Sequence, residues 1–528
     1  MAYLRAVKRA MLRRSGRVEA LREAPDHTAN VGAGTRRPLG IVDVTDETAV
    51  VSDRARVSWL LRFGRWQHLA VYVVAGVAYA FAMTAVYFVA NGIGFQPFRF
   101  GVVAVFHAWP LVLTAWLTAA VTRRDKEVIT AVYLAVLAAV TTPALGGEFT
   151  VLSAIVLWMI FNIAPTLTVL LFLVRRIRAV GPMVMAFVLF AVTGSQVAFN
   201  VAGTDDASIR SMAELGMRLG LGGHQTFAAI AVVGAVVLGI VGWLVLRGLG
   251  AAYRARVFSD QSIMIDAVWL IFAVYEGMNL AFAGPRWFIG ALAAYFVFKF
   301  VAALGFAVLG AVRRGDENAP RLLLLRVFSL GWRSERLFDG LSRVWRHAGS
   351  IRMIAGPDLA ATTVEPHEFL DFVGGRLARR FIGDREGLQR RLAEATALRD
   401  RDGRYRVNDF FCHDDTWKMV LAALAADSDA VLMDLRGFGP SNKGCVFEVH
   451  ELLARVPLLR VVLVVDDTTD KAFLDETLRN GWAAVPASSV NADVVKPEVR
   501  IVTARHEGGG DVAAIGRALA RASSVVTA

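Results

Sequence analysis

One stretch in the last third of the chain, residues 426–453, combines small and polar residues that could build a ligand site. Asp434 ends an apolar run, Gly437 follows in a loop of small residues, and Gly444 and Cys445 open a helical pattern. The Glu448 carboxylate then falls within the first turns of that helix. There it could act on a bound ligand, or it could be a structural residue that the helix dipole stabilises by about 0.3–1 kcal/mol.

Other acidic residues follow neighbouring apolar runs, among them Asp409, Asp414–Asp415 and Asp466–Asp467. Their oxygen atoms would suit Mg²⁺, but an Asp that follows a strand commonly caps the next helix. We favour capping and expect no metal site, because two cysteines and scattered histidines give no zinc spacing. Neither a Gly-x-Gly-x-x-Gly motif nor a P-loop lysine motif is present.

The elements that would position these residues are six short β-branched runs that alternate with helical patterns. The predicted strands are Leu322–Phe328, Ser350–Ala355, Arg404–Phe411, Ala430–Leu435, Arg460–Val465 and Glu498–Thr503. This alternation predicts an α/β domain over residues 313–528 with a doubly wound, mainly parallel sheet. Residues 358–399 are charge-rich and too long for a simple crossover, so we expect a helical insertion there. Ligands bind outside the carboxyl ends of such strands.

This stretch resembles two related families. TIR domains carry a loop followed by a helix with Cys-x-x-Glu, which Cys445 and Glu448 match. Nucleoside 2-deoxyribosyltransferases carry a strand, an Asp-x-x-Gly turn and a helix that opens with Gly-(Ser/Thr)-x-x-Glu, which Asp434, Gly437, Gly444 and Glu448 resemble. The similarity extends over about residues 320–525, and its specific part is this one stretch.

The resemblance implies that Glu448 acts at the anomeric carbon of an N-riboside, as nucleophile or as stabiliser of an oxocarbenium-like state. A carboxylate suits this role because positive charge develops on the ribose as the base leaves. It also implies ribose or base contacts from Asp434 and Asp409, with NAD or a related nucleotide as the substrate and no required cofactor. Assembly often completes TIR-type sites, so the resemblance further implies a homo-oligomer formed through this domain.

The middle of the chain has a different composition. Eight apolar runs, each near the roughly 20 residues of a membrane-spanning helix, read as 66–91, 101–121, 128–144, 151–174, 180–201, 224–246, 261–283 and 287–312. We therefore expect an eight-helix transmembrane domain over residues 66–312, preceded by a basic N-terminal arm over residues 1–65. The arm has no apolar core of a signal peptide, and its first residues would lie on anionic lipid or stay solvated.

Basic residues mark one set of loops. Arginines and lysines concentrate in loops 122–127, 175–179 and 247–260 and directly after the last run, whereas the alternate loops hold few. The positive-inside rule therefore places both termini in the cytoplasm. Arginine outnumbers lysine by 51 to 7, which suggests a GC-rich bacterial genome. We expect a multi-pass protein of the bacterial inner (plasma) membrane, in contact with the lipid bilayer.

Charged side chains within the apolar runs are few: Asp266, Glu276 and Lys299. A charge at mid-bilayer costs at least about 2.5–3.5 kcal/mol, so an unpaired ion is improbable. We expect Glu276 to pair with Lys299 and Asp266 to approach the interface. Such a pair, with Asn279 one turn beyond Glu276, could line a polar cavity or could simply tie two helices together. Alternatively, Glu276 is neutral.

The formal charge of +12 does not indicate nucleic-acid binding, because residues 313–528 hold 31 basic against 30 acidic residues. Our leading hypothesis is a membrane protein whose cytoplasmic TIR-like domain binds or cleaves an N-ribosidic nucleotide, acting as a membrane-linked sensor or effector. One alternative is a non-enzymatic signalling and assembly module on a membrane anchor. Another is a transporter or channel with a regulatory soluble domain, since the α/β scaffold hosts all three.

Overall fold

A computed structural model describes residues 2–12, 37–47, 55–144, 150–172, 180–203, 206–284, 286–312, 319–326, 332–355, 366–395, 398–505 and 509–524. Within this part the chain forms 18 α-helices and eight strands. Helices dominate the first 312 residues, and all strands except one follow them. Short 3-10 turns at Thr142–Ala144, Leu377–Arg380 and Leu458–Arg460 complete the elements.

Eleven helices precede the α/β domain in the described residues. They are α1 (Ala2–Met11), α2 (Ala55–Ala90), α3 (Pro97–His107), α4 (Pro110–Thr118), α5 (Arg123–Thr141), α6 (Val151–Phe172), α7 (Gly181–Ala202), α8 (Asp206–Arg218), α9 (Gly223–Arg254), α10 (Asp260–Ala281) and α11 (Arg286–Val312).

Six of these helices, α2, α6, α7, α9, α10 and α11, are long and apolar enough to cross a membrane. The helices α3 and α4 add a seventh candidate if they form one span, which is bent by 44° at the residues before Pro110. The expected span 128–144 falls largely in α5, which is 19 residues long but is not among these candidates because its first five residues are all charged. Many apolar side chains on these helices are exposed, for example Val232, Val233, Val236, Val237 and Ile240 of α9. The chain is therefore a membrane protein.

Small residues bring two of these helices into close contact. Gly194 of α7 and Gly234 of α9 face each other, and a Cβ atom at either one would clash with the other's carbonyl oxygen. Ser195 adds a hydrogen bond of 2.9 Å from its hydroxyl to the carbonyl oxygen of Ala231. Small residues that allow such a backbone approach are typical of helix pairs in membranes, where packing replaces the hydrophobic effect as the driving force.

The α/β domain contains a single parallel sheet of eight strands. The strands are β1 (Gly40–Asp43), β2 (Arg321–Arg326), β3 (Ser350–Ile354), β4 (Phe381–Ile382), β5 (Val407–Cys412), β6 (Ala430–Asp434), β7 (Val461–Val465) and β8 (Glu498–Thr503). The helices between them are α12 (Trp332–Trp345), α13 (Pro366–Val373), α14 (Arg385–Glu394), α15 (Trp417–Ala426), α16 (Lys443–Arg455), α17 (Lys471–Ala483) and α18 (Gly509–Ala522). All six predicted strands are present, with ends that shift by up to three residues.

Both faces of the sheet are covered, as the predicted doubly wound arrangement requires. Along β2, Leu323 and Leu325 pack with α15, α16 and α17 on one face. Leu322 and Leu324 pack with α12 and α18 on the other. A strand buried on both faces reads as a continuous apolar run, and Arg321–Arg326 does so with four successive leucines.

The strand order, β1-β8-β7-β6-β2-β3-β5-β4, shows where a ligand site belongs. From β2 the chain adds strands first on the β3 side and then, beginning with β6, on the other side. The strands β3-β2-β6-β7-β8 thus follow the flavodoxin-like order 2-1-3-4-5. Its switch point lies between the carboxyl ends of β2 and β6, where Arg326 is the register partner of Asp434.

The N-terminal segment contributes to this domain. Strand β1 pairs in parallel with β8 and forms one edge of the sheet, although the predicted basic arm included no strand. At the other edge, Val7 of α1 is fully buried against a cluster that includes Phe381 and Phe411. The imidazole Nδ1 of His413 lies 2.9 Å from the carbonyl oxygen of Ala10. The described part of the basic segment therefore packs on protein.

Charged groups join the amino ends of the strands to the membrane helices. Arg346, just after α12, makes a bidentate ion pair of 2.7 and 2.9 Å with Asp260, the first residue of α10. Arg406, just before β5, pairs with Asp400 and stacks over the ring of Tyr253 at the end of α9, 3.9 Å from its centroid. The carboxyl ends of the strands, where the switch point lies, are thus remote from this junction.

Candidate functional site

Glu448 lies at the switch point, on the helix that follows β6. It lies in the second turn of α16, on the same face as Cys445, Val449 and Leu452, and this face packs against the sheet. Its side chain is buried, and its Oε2 atom has no hydrogen-bond partner among the described residues. Burial raises the pKa of the Glu448 carboxyl to about 8, and the positive charge of Arg326 opposes that shift only in part. The carboxyl group is therefore protonated at neutral pH.

The neighbours of Glu448 come from β2 and from its own helix. The Cys445 thiol lies one turn earlier, with Sγ 3.9 Å from the carbonyl oxygen of Arg326 at the end of β2. Burial, together with the charge of Glu448, raises the pKa of this thiol to about 12. Cys445 is therefore a packed neutral thiol and not a nucleophile, since reactivity requires the thiolate.

Asp434, predicted to contact the ribose, lies at the end of β6 but is engaged with a residue that the sequence analysis did not select. Both of its carboxylate oxygens accept hydrogen bonds of 2.8 Å from the guanidinium of Arg436. Gly437 follows with φ +68°, a left-handed conformation that glycine adopts without strain. The Asp-x-x-Gly pattern thus forms a tight turn that a buried ion pair closes.

Two other predicted residues lie farther from this centre. Asp409 is the third residue of β5, a strand that β3 and β2 separate from β6, so three strand spacings, about 14 Å, lie between them. Sequence reasoning placed Asp409 at a carboxyl end, but β5 continues to Cys412. Gly444 is exposed, and a Cβ atom there would meet open space, so no close approach requires glycine.

The residues that the structure brings together are therefore Glu448, Cys445, Arg326, Asp434 and Arg436. A protonated Glu448 can donate a hydrogen bond to a hydroxyl group, and it becomes an ionised acceptor when polar groups of a ligand replace its apolar surroundings. Arg326 supplies positive charge at the same edge of the sheet, whereas Asp434 balances the charge of Arg436. Such a combination suits a ligand that carries hydroxyl groups and a negative charge.

The expected pair between Glu276 and Lys299 is wrong. Lys299 Nζ lies 2.5 Å from Asp266 Oδ2. The reason is geometric: counted from the turn between α10 and α11 at 1.5 Å per residue, Lys299 and Asp266 differ in height by about 3 Å, whereas Glu276 lies about 12 Å away from Lys299. Asp266 therefore has its partner on the neighbouring helix α11, and both side chains are partly exposed.

Glu276 faces a histidine that the sequence analysis missed. His107, the last residue of α3, lies with Nε2 4.0 Å from Glu276 Oε2, and both side chains are buried. Its Nδ1 is 2.9 Å from the hydroxyl oxygen of Thr84, which donates its own proton to the carbonyl oxygen of Ala80. Nδ1 must then be the donor, and Nε2 of the neutral ring is left as an acceptor that faces Glu276. The side chain of Asn279, one turn beyond, also interacts with the Glu276 carboxyl.

Acidic residues at the strand ends act as turn and cap residues. Asp466 Oδ1 accepts a hydrogen bond from the backbone of Thr468, and Asp470, not Asp467, caps α17 through the backbone N–H of Phe473. Among the described residues, no group of three or more His, Cys, Asp or Glu side chains is arranged to hold a metal ion.

Comparison of the chain with protein-family models, curated proteins and solved structures finds no match.

Proposed function

We propose that the chain crosses the membrane eight times and carries its α/β domain on the cytoplasmic side. Strands β1 and β2 belong to the same sheet, and all membrane helices lie between these two strands in the sequence. The number of crossings between residues 43 and 321 must therefore be even. The six long helices satisfy this condition alone, or together with two further crossings formed by the α3–α4 pair and α5.

Contacts support eight crossings. The end of α4 lies beside the α/β domain, because Arg343 of α12 donates to the carbonyl oxygen of Ala120. The α3–α4 pair begins on the other side of the membrane, because α3 follows the end of α2 that is remote from the α/β domain. The α3–α4 pair thus crosses the membrane once, and α5 must cross it in the opposite direction. Tyr133, in the middle of α5, supports this because it donates a 3.0 Å hydrogen bond to the carbonyl oxygen of Val105 in α3.

The arginine-rich loops support the cytoplasmic side. Segments 122–127 and 247–260 include the start of α5 and the end of α9, and they lie where helix ends contact the α/β domain, for example through Asp260. Positively charged loops stay in the cytoplasm. We therefore assign both termini to the cytoplasm and the protein to the inner membrane of a bacterium.

For the α/β domain we propose binding of an N-ribosidic nucleotide such as NAD at the switch point, with hydrolysis of its glycosidic bond as the reaction to test. The observation that carries this proposal is the buried Glu448 carboxyl, with an oxygen that no described residue satisfies, at the sheet position where α/β domains bind ligands. Buried unsatisfied polar atoms are few in proteins and often mark functional sites.

The chemistry follows from the protonation state. A neutral Glu448 donates a hydrogen bond to a ribose hydroxyl, while Arg326 supplies positive charge beside it for a phosphate group. When the ligand replaces apolar neighbours, the carboxyl ionises and stabilises the positive charge that develops on the ribose as the base leaves. The N-glycosidic bond breaks with its electron pair leaving on the base, water adds to the anomeric carbon, and the Glu448 carboxylate takes up the proton that this water releases.

The experiment uses the full chain in nanodiscs with NAD, with binding measured by calorimetry and nicotinamide release by chromatography. We expect Glu448→Ala to weaken binding by up to about tenfold, because one hydrogen bond of about 0.5–1.5 kcal/mol to a ribose hydroxyl is lost. Glu448→Gln keeps the volume and a donor, so it should bind but not hydrolyse. Glu386→Gln, an exposed first-turn glutamate of α14, is the matched control.

Equal nicotinamide release by the wild type and Glu448→Ala would refute the catalytic role. No NAD binding by the wild type would refute the nucleotide proposal. If the domain then self-associates, and this association survives Glu448→Ala, the non-enzymatic assembly module becomes the better description of the protein.

A specific observation favours a second candidate function, proton or cation movement through the membrane domain. His107 and Glu276 face each other at the break between α3 and α4, and broken helices form the ion sites of many transporters. Proteoliposomes that contain a pH-sensitive dye would show this flux. Glu276→Gln should abolish it and Glu214→Gln, on the exposed face of α8, should not; equal flux in both variants would refute this candidate.

A further inference from the structure

An arginine-lined cavity of about 740 Å³ lies between the end of α9 and the inserted segment that carries α13 and α14. Its volume is within the range of small-molecule sites. The lining includes seven arginines and three carboxylates: Arg254, Arg256, Arg379, Arg380, Arg390, Arg391, Arg406, Asp371, Asp384 and Glu394. This cavity, which we call the arginine cavity, is separate from the switch point because none of its lining residues comes from β2, β6 or α16.

The three carboxylates of the arginine cavity are already engaged within the protein. Asp371 accepts a hydrogen bond of 2.9 Å from Arg380. Asp384 caps α14 by accepting a hydrogen bond of 2.7 Å from the backbone N–H of Gly387. Glu394 pairs with Arg391 at 3.2 Å. Asp371 and Glu394 are thus paired with arginines, and Asp384 is engaged at the N-terminus of α14, so the seven arginines exceed the carboxylates of the cavity in charge.

Three arginines of the cavity lack such a balance. Arg254, Arg379 and Arg390 are exposed, and none of them makes an ion pair with another described residue. They come from three separate elements, the end of α9, the 3-10 turn before β4, and α14. Like charges that converge on one cavity repel each other, so an anion that neutralises them would be bound favourably.

The position of the cavity narrows the class of anion. Arg254 is the last residue of a helix that is apolar enough to span the membrane, so the cavity opens at the depth of the lipid headgroups. A guanidinium fork matches the oxygen geometry of a phosphate group and can form two parallel hydrogen bonds with it. A ligand with at least two negative charges would neutralise most of the positive charge of these three arginines.

We propose that the arginine cavity binds the phosphate group of a multiply charged phosphate ester, with Arg254, Arg379 and Arg390 as its ligands. This chemistry is shared by an anionic phospholipid headgroup and by a soluble nucleotide polyphosphate. The proposal does not depend on the function of the Glu448 site.

The test uses the full chain in nanodiscs, and its two arms distinguish the sources. In purely zwitterionic nanodiscs, ATP and pyrophosphate are titrated by calorimetry, which reports a soluble ligand. In nanodiscs that contain phosphatidic acid, lipids retained after detergent extraction are identified by native mass spectrometry, which reports a headgroup. One variant combines Arg379→Gln with Arg390→Gln. The control is Arg385→Gln, which removes a neighbouring exposed arginine of α14 outside the cavity.

In whichever of the two arms the wild type shows binding, we expect the double variant to weaken it by at least about tenfold, because two charge-assisted hydrogen-bonding groups are lost. The Arg385→Gln control should bind like the wild type, and salt should weaken binding to the wild type. Binding in neither arm would overturn the proposal. It would also be overturned if the double variant and Arg385→Gln bound with the same affinity.

Discussion

Replacing Glu448 by glutamine tests whether the folded domain holds this carboxyl in its protonated form. Glutamine has nearly the same shape, keeps a hydrogen-bond donor and does not titrate. The difference between the wild type and Glu448→Gln therefore isolates the ionisation of one group, because every other titrating residue is common to both proteins.

The size and sign of this effect follow from the pKa shift. Burial raises the pKa of Glu448 from the ordinary 4.5 to about 8, so the folded state binds an extra proton between these two values. The wild type is then destabilised as the pH rises through this window, by up to about 1.4 kcal/mol per pH unit. The full penalty above pH 8 is on the order of 5 kcal/mol, and Glu448→Gln does not experience it.

The assay is the apparent midpoint of thermal unfolding of the full chain, measured by tryptophan fluorescence from pH 5.5 to pH 9. The gap in midpoint between Glu448→Gln and the wild type should grow with pH up to about pH 8 and then stay constant. Glu386→Gln should follow the wild type throughout. Parallel profiles for the wild type and Glu448→Gln would refute the assignment of a buried, protonated carboxyl.

Three further predictions concern how the parts fit together. Arg346→Met should lower the unfolding midpoint through a cost of about 3 kcal/mol, since it leaves Asp260 without its bidentate partner; an unchanged midpoint would mean that the junction contributes little. Gly234→Leu should destabilise the α7–α9 pair in detergent, whereas Gly248→Leu, with open space around its Cβ position, should not; equal midpoints would contradict the close packing. A fragment of residues 313–528 should aggregate on size exclusion because β8 becomes an open edge without β1, and joining residues 37–47 to its start should suppress this; the same behaviour for both would argue against a role of β1.

The sequence predicted the central strands well for a physical reason. Strands such as Ala430–Asp434 and Val461–Val465 are buried on both faces, so they read as unbroken apolar runs between loops of small and polar residues. The resulting alternation with helices left few topologies open. The position of Glu448 after β6 followed from the same pattern.

Other features could not be read from the sequence because they depend on distant partners. Strand β1 has only four residues and an alternating burial pattern, and its pairing with β8 joins positions more than 450 residues apart. The partner of Lys299 depended on the relative heights of residues along α10 and α11. Counting residues from the turn did not resolve these heights, because the exact ends of the two helices were unknown from the sequence. His107 gave no signal, since a single histidine in an apolar run is commonly a core residue and only packing brings it to Glu276.

The candidate site and the membrane helices lie at opposite ends of the same sheet, and one helix joins them. Strands of five or six residues extend about 17–20 Å, so a ligand beside Glu448 cannot contact the membrane helices directly. Helix α12 follows β2 at the carboxyl edge and is about 21 Å long. At its other end Arg343 reaches the carbonyl oxygen of Ala120, and Arg346 holds Asp260. Helix α12 thus runs from the carboxyl edge of the sheet to contacts beside α4 and α10, the helices that carry the break beside His107 and the Glu276 carboxyl.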